Sequence, residues 1–234
     1  MAAANSVKAG QSPSCRIVGV IATLADLHFA IAMSRPPDFF ELRLDCLMGL
    51  EDEVEKKIPL LGAPLIVTAR HPAEGGANNL PSARRLDLIS RFLPHAQYLD
   101  IELRSAEAWH SWLNLPPAKA VRRIISLHDF DSTPSPRSLH AKARAAKSHG
   151  ADIFKVATRT ETAAQLARLF EFVANQEIEL PVSAMGIGEL GAVSRVALAR
   201  CGSVLAYASL ADRQVDGQLS IEEIRTAFAI FHIH

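Results

Sequence analysis

The sequence predicts an α/β fold, a (β/α)8 TIM barrel that forms one domain. Short β-rich runs alternate with helical patterns eight times along the 234 residues, and this length is close to the usual barrel size of about 250 residues. The second strand contains the run ELRLD, whose period of two places Glu41, Arg43 and Asp45 on one side. An open sheet covered by helices on both faces has no room for three charges there, whereas the mouth of a barrel has.

The units follow one another in a regular order. The first four pair strands at 16–22, 39–47, 64–70 and 98–103 with helices at 24–33, 51–58, 83–93 and 105–114. The last four pair strands at 122–130, 152–158, 181–187 and 203–210 with helices at 136–148, 161–175, 192–200 and 221–231. Ser105 is expected to cap the fourth helix, and Gly150 is expected to stop the helix at 136–148.

Composition limits the class of protein. We expect a flexible N-terminal leader at 1–14, which has no apolar core typical of a secretory signal, and a catalytic barrel domain at 15–234. The formal net charge is zero with no basic stretch, which argues against nucleic-acid binding and against a membrane surface. The three cysteines are far apart without metal-ligand spacing, so we expect reduced thiols in a cytoplasmic protein.

Polar residues recur at the carboxyl ends of the predicted strands, where barrels build their active sites. They are Glu41, Arg43 and Asp45, Arg70, Asp100 and Glu102, Ser126 and His128, Lys155, and Tyr207, while the seventh strand brings the apolar Met185 to the same ring. A structural network of ion pairs accounts as well as function does for the presence of Glu41, Arg43, Asp45 and Arg70. It accounts less easily for a lysine and a histidine on adjacent strands.

Lys155 and His128 together indicate an amine nucleophile beside a general acid–base. Alone, each has an ordinary explanation, since a strand lysine usually faces solvent and a strand-end histidine is usually a packing residue. We expect apolar walls and the cations Arg43 and Arg70 to favour the neutral amine. Because such an amine is costly, we also expect its removal to leave the fold as stable or more so.

Seven motifs follow one another at the predicted strand ends: ELRLD (41–45), TARHPAEGG (68–76), DIEL (100–103), SLHDFDSTP (126–134), DIFKVA (152–157), MGIGELGAVSR (185–195) and DGQLS (216–220). In this order they resemble the type I 3-dehydroquinate dehydratases, the Schiff-base dehydroquinases of the shikimate pathway. The resemblance covers nearly the whole chain. It implies loss of water from 3-dehydroquinate to give 3-dehydroshikimate, by syn elimination through an imine and without metal or cofactor, in aromatic amino-acid biosynthesis.

The resemblance also implies roles for individual residues. Lys155 matches the lysine that forms the Schiff base, His128 the general acid–base, and Glu74 the carboxylate that orients this histidine. The other matches are to substrate-binding residues: Glu41, Arg43 and Arg70 for the ring hydroxyls, Arg195 for the carboxylate, Gln218 for the closing loop, and Met185 and Tyr207 for the pocket wall. Gln214 stands where the family has a serine, and Tyr207 where it usually has phenylalanine.

Two alternatives stay open from the sequence. One is another barrel that forms an imine on lysine, such as a class I aldolase, although Arg195 is better placed for a carboxylate than for a phosphate. The other is a non-catalytic barrel that binds shikimate-type metabolites. For either we expect a small-molecule ligand, and the resemblance implies a homodimer.

Overall fold

Eight parallel strands surround a common axis in the computed structural model, which describes residues 14–175, 178–211, 213 and 215–233. The strands are β1 (Arg16–Ile21), β2 (Phe39–Arg43), β3 (Leu65–Thr68), β4 (Ala96–Glu102), β5 (Arg122–Asp129), β6 (Ile153–Arg159), β7 (Val182–Ile187) and β8 (Leu205–Ser209). Hydrogen-bonded neighbours run from β7 back to β1 in order, and β1 then pairs with β8. The predicted (β/α)8 barrel is confirmed.

Hydroxyl groups help to close the barrel between β7 and β8. The backbone N–H of Val204 donates to the carbonyl of Val182 at 2.9 Å. The hydroxyl of Ser183 donates to the carbonyl of Leu205 at 3.1 Å, and the hydroxyl of Ser203 accepts from the N–H of Ala184 at 3.0 Å. These bonds satisfy buried backbone groups at this seam, where no strand ladder joins β7 to β8 within the described residues.

Helices follow the strands and cover the outside of the barrel. In the described residues they are α1 (Leu24–Ala32), α2 (Glu51–Lys57), α3 (Ser82–Phe92), α4 (Leu103–Ala108), α5 (His110–Leu113), α6 (Pro116–Lys119), α7 (Pro136–Ser148), α8 (Ala163–Ala174), α9 (Gly191–Arg200) and α10 (Ile221–Ile230). Capping boxes begin α1, α8 and α10, which fixes where these helices start. None of the described helices is long and apolar enough to cross a membrane.

The region at 105–114 differs from the predicted helix. It forms the two short helices α4 and α5, and Ser105 lies inside α4 instead of capping it. The reason is a competing partner, because the Ser105 hydroxyl donates to Glu102 Oε2 at 2.8 Å. The predicted leader at 1–14 lies outside the described residues except for Ser14, so that part of the domain division stays a prediction.

The barrel interior changes from apolar to polar along the strands. Near their amino-terminal ends it is filled by Phe39, Ile66, Tyr98, Ile124 and Ile153, all buried. Two residues further along, where the side chain points inward again, the same strands carry Glu41, Thr68, Asp100, Ser126 and Lys155. The alternation of the strands therefore places a layer of polar groups directly above an apolar floor, at the mouth of the barrel.

Candidate active site

A cavity of about 200 Å³ opens at the carboxyl ends of the strands. It is smaller than the roughly 300–1,000 Å³ typical of drug-sized ligands, which indicates a small metabolite. Its lining includes ten of the residues predicted from the sequence: Glu41, Arg43, Arg70, Glu74, His128, Lys155, Met185, Arg195, Tyr207 and Gln218. Gln214, the remaining predicted residue, lies outside the described residues.

Lys155 lies in the polar layer with its ammonium against two carboxylates. Its Nζ is 2.9 Å from Asp100 Oδ2 and 3.3 Å from Glu41 Oε1, and the residue is only 3% exposed. The sequence predicts apolar walls and cations around the amine. The groups in direct polar contact with Lys155 are instead the anions Asp100 and Glu41. A strand lysine facing solvent is excluded for this position.

Arg70 connects the carboxylates of neighbouring strands. Its Nη1 donates to Asp100 Oδ1 at 2.9 Å, to Glu102 Oε1 at 3.1 Å and to the hydroxyl of Ser126 at 2.7 Å. Burial alone would raise the pKa of Asp100, but the charges of Arg70 and Lys155 outweigh it and hold that pKa well below its usual value. Asp100 is thus a permanent anion beside the amine.

Tyr207 closes the other side of the lysine. Its ring centroid is 3.9 Å from Lys155 Nζ, a distance at which the ring face attracts the ammonium. The Tyr207 hydroxyl is buried and has no hydrogen-bond partner in the part of the chain that the structure describes. Burial raises the pKa of Tyr207 well above its usual value, so the hydroxyl keeps its proton and is available as a donor within the cavity wall.

His128 is held by Glu74, which reaches it from the loop after β3. Glu74 Oε2 accepts the backbone N–H of His128 at 2.8 Å and lies 3.2 Å from its Nδ1. A proton on Nδ1 leaves Nε2 with a free lone pair. Burial, followed by the charges of Arg70 and Lys155, lowers the pKa of His128 well below 6.5. The imidazole is neutral at pH ~7 and can act as a base.

The two glycines after Glu74 are required by the turn that presents this carboxylate. Glu74 ends a 3-10 turn, Pro72–Glu74, and Gly75 follows it with a left-handed φ of 82°. A Cβ on Gly76 would lie 2.2 Å from the backbone oxygen of Arg70, so only glycine fits this close approach. The EGG run is therefore explained by geometry.

Arg43 and Asp45 do not share one face as the strand pattern predicted. The strand ends at Arg43, before the predicted residue 47, because the chain turns and Asp45 accepts the backbone N–H groups of Arg70 at 3.0 Å and Ala77 at 2.9 Å. Arg43 binds Asp45 through Nε at 3.0 Å and Nη2 at 2.8 Å. Asp45 therefore fixes the loops, while Arg43 lines the cavity.

Arg195 is a buried cation that meets carbonyl groups instead of a carboxylate. Its Nη1 donates to the carbonyls of Gly186 at 2.9 Å, Gly191 at 2.9 Å and Gly217 at 2.8 Å. Within the described residues its Nε has no acceptor. Burial lowers the pKa of Arg195 to about 10, so the guanidinium is still charged at pH ~7. A buried and uncompensated charge of this kind favours an anionic ligand.

Two contacts of the catalytic candidates do not follow from the sequence analysis. Asp100 was recognised only as a strand-end group, although it is the nearest carboxylate to Lys155. Arg104 was not recognised at all, yet its Nε donates to Glu74 Oε1 at 2.9 Å. No group of three or more His, Cys, Asp or Glu side chains within 14–175, 178–211, 213 and 215–233 could hold a metal ion.

We expect the neutral state of His128 to make the fold sensitive to acid. The unfolded chain binds a proton on this histidine at pH values below ~6.5, whereas the folded chain does so only at a lower pH. Stability is therefore full above pH ~6.5 and falls as the pH decreases toward the lowered pKa.

Urea unfolding of the protein and of His128→Asn, at about pH 7 and about pH 5.5, checks this sign. The variant should lose less of its free energy of unfolding over this interval. An equal loss in both proteins would contradict the assignment.

Several known proteins are similar to this chain in sequence and in fold. The family model described as type I 3-dehydroquinase matches residues 20–234. A 3-dehydroquinate dehydratase of Desulfotalea psychrophila is 36% identical over 199 residues, 82% of this chain and 86% of that protein. One of Shouchella clausii is 31% identical over 210 residues, 84% and 82% of the two chains. The crystal structure of 3-dehydroquinate dehydratase from Geobacillus kaustophilus has a TM-score of 0.84 at 26% identity, covering 95% of this chain and 93% of that chain. The chain belongs to the type I 3-dehydroquinase family.

Proposed function

We propose that this chain converts 3-dehydroquinate to 3-dehydroshikimate and water through an imine on Lys155. The observation that carries the proposal is a buried lysine and a neutral, carboxylate-held histidine on neighbouring strands of one cavity. Family membership supports the same reaction. We place it in aromatic amino-acid biosynthesis.

The first step is addition of the Lys155 amine to the substrate ketone. The nitrogen forms a bond to the carbonyl carbon, and two protons of the ammonium leave with the ketone oxygen as one water, which yields the iminium. Asp100 and Glu41 support the positive charge that this nitrogen carries before and after the step. Both carboxylates therefore serve the reaction best as anions, the state in which the site holds Asp100.

His128 then moves the protons of the elimination. Its neutral ring removes a proton from the carbon next to the iminium, and the electron pair forms an enamine. The enamine expels the hydroxyl group of the next carbon, which leaves as water with the proton returned by His128. Hydrolysis of the product imine consumes one water and restores Lys155, so the overall reaction loses one water. Glu74 stabilises the imidazolium between the two transfers.

The remaining residues of the cavity position the substrate. We assign Glu41, Arg43 and Arg70 to the ring hydroxyl groups, while Met185 and Tyr207 form the wall. Gln218 is buried at the mouth and closes the cavity with the loop that follows β8. The family match assigns Gln214 to the same loop, and its position lies outside the described residues.

We assign the substrate carboxylate to Arg195, the buried guanidinium whose Nε has no acceptor among the described residues. We expect Arg195→Gln to raise KM by about 100-fold, since a charge-assisted pair with a carboxylate contributes about 3 kcal/mol. A smaller change in kcat is expected because this contact is made equally in ground and transition states. Steady-state kinetics check the split, and an unchanged KM would contradict the assignment.

An absorbance assay of the purified protein with 3-dehydroquinate tests the proposed function directly. Dehydration creates a conjugated enone, which absorbs in the ultraviolet where the substrate does not. Product formation supports the proposal. Binding of the substrate without product would favour the non-catalytic barrel, and bond cleavage to smaller carbonyl fragments would favour the aldolase-like alternative.

We further propose a cytoplasmic homodimer. An apolar groove between α8, α9 and the C-terminal end of α10 is lined by Phe170, Val193, Val196 and Phe231, of which Val193 and Phe231 are 55% and 56% exposed. A contiguous apolar patch of this kind supports association between subunits. The free thiols Cys15, Cys46 and Cys201 support a reducing compartment. Sedimentation velocity distinguishes a dimer from a monomer.

A further inference from the structure

Arg104 contacts the oxygen of Glu74 that faces away from the histidine. The two carboxylate oxygens of Glu74 have different partners. Oε2 contacts His128, and Oε1 accepts a hydrogen bond from Arg104 Nε at 2.9 Å. The carboxylate is buried, whereas the Arg104 side chain is 51% exposed. A surface arginine thus reaches inward to a carboxylate of the proposed catalytic machinery.

The surroundings of Glu74 oppose its ionisation. Burial raises the pKa of Glu74, and the nearby charge of Glu102 raises it further. The influences that lower this pKa are the backbone N–H of His128 and the charges of Arg70 and Arg104. Arg70 is already committed to Asp100 and Glu102 through Nη1. Arg104 is therefore the cation that bonds Glu74 directly.

Each element packed against this pair contributes a charged or titratable group. Glu74 faces Arg104 on α4, His128 on β5, Glu102 on β4 and Arg70 after β3, and His71, which caps the turn of Glu74, lies near Arg104, Glu102 and Arg85. Around His128 the charges are Arg70, Lys155, Asp100 and Arg43. Among these groups, Arg104 lies farthest out toward solvent, so its replacement leaves the buried network intact.

We propose that Arg104 is a positioning residue, which keeps Glu74 ionised and directs its Oε2 to His128 so that Nε2 faces the substrate. This inference rests on the proposed function. It adds a residue from outside the cavity, because Arg104 does not line it. It also makes the pH below which activity falls depend on the charge of Arg104. This charge is exposed to solvent and is therefore screened by salt.

The pH dependence of kcat for Arg104→Gln and Arg104→Lys tests the proposal. Loss of the positive charge should move the acidic limb of the profile up by about one pH unit, because Glu74 then takes up its proton more readily. A one-unit shift lowers kcat about tenfold on the acidic side and changes the alkaline plateau less. KM should stay unchanged, and lysine should restore part of the original limb.

Arg84→Gln is the matched control. Arg84 is likewise half-exposed, at 44% of its side chain, and pairs with Glu51 away from the cavity, at 2.9 Å. The acidic limb of the Arg84→Gln profile should coincide with that of the unmodified protein. An acidic limb of Arg104→Gln that also coincides with it, or a loss of kcat that is uniform with pH and not restored by lysine, overturns the proposal. An unmodified protein that forms no product instead removes the proposed function itself, so the two failures are distinguishable.

Discussion

Lys155→Ala is expected to abolish turnover, with kcat lower by at least ~10⁴-fold, because no other amine in the described cavity lining can form the imine. Only Lys155 among those lining residues carries a primary amine. Product formation over hours, with enzyme in excess of substrate, measures the residual rate. Residual activity within about tenfold of the unmodified protein would contradict an imine on this residue.

The same substitution is expected to destabilise the fold, which reverses the expectation from sequence. Lys155 compensates Asp100 and Glu41, and its removal leaves Arg70 as the remaining cation in contact with both. Breaking a buried ion pair from one side costs about 3 kcal/mol. Urea unfolding checks this sign. Circular dichroism of the variant at low temperature must show a folded barrel for the loss of turnover to be attributed to chemistry.

His128→Ala is expected to give a slow enzyme that still forms the imine. Removal of a general acid–base lowers rates by about 10²–10⁴-fold, and here one group serves both proton transfers. Imine formation depends on Lys155 and its two carboxylates, none of which His128 contacts by a hydrogen bond in the described residues. Substrate should therefore accumulate on the lysine.

Mass spectrometry of His128→Ala, after treatment with borohydride in the presence of 3-dehydroquinate to reduce the imine, measures this accumulation. The expected result is an adduct with the mass of the reduced substrate imine at nearly full occupancy. Absence of any adduct would show that the histidine is needed for addition of the amine, and its assigned role in the elimination would be wrong. His128→Asn, which keeps a polar group near Glu74, should behave in the same way.

Most of the fold follows from local patterns. The alternation of strands and helices, the stop at Gly150 and the helix beginning at Pro136 agree with the sequence because each is set by neighbours in the chain. The helix predicted at 105–114 is divided into α4 and α5, and the predicted cap at Ser105 is wrong because its hydroxyl binds Glu102 instead of a helix end. Such a partner belongs to tertiary packing, which capping patterns do not contain.

The composition of the cavity was predictable for a topological reason. Parallel strands in a barrel bring their carboxyl ends to one mouth, so strand-end residues distant in sequence line one cavity. The contacts inside the cavity were less predictable. The pairing of Lys155 with Asp100 depends on strand register, and the contact of Arg104 with Glu74 depends on the turn that carries Glu74. Neither is encoded in the spacing of residues along the chain.

Borohydride reduction with and without 3-dehydroquinate, followed by peptide mapping, tests the imine most directly. The account predicts a substrate-dependent adduct on the peptide that contains Lys155, and none on peptides from outside the cavity. A folded protein that binds the substrate, turns it over and yields no adduct, or an adduct on another lysine, would contradict it.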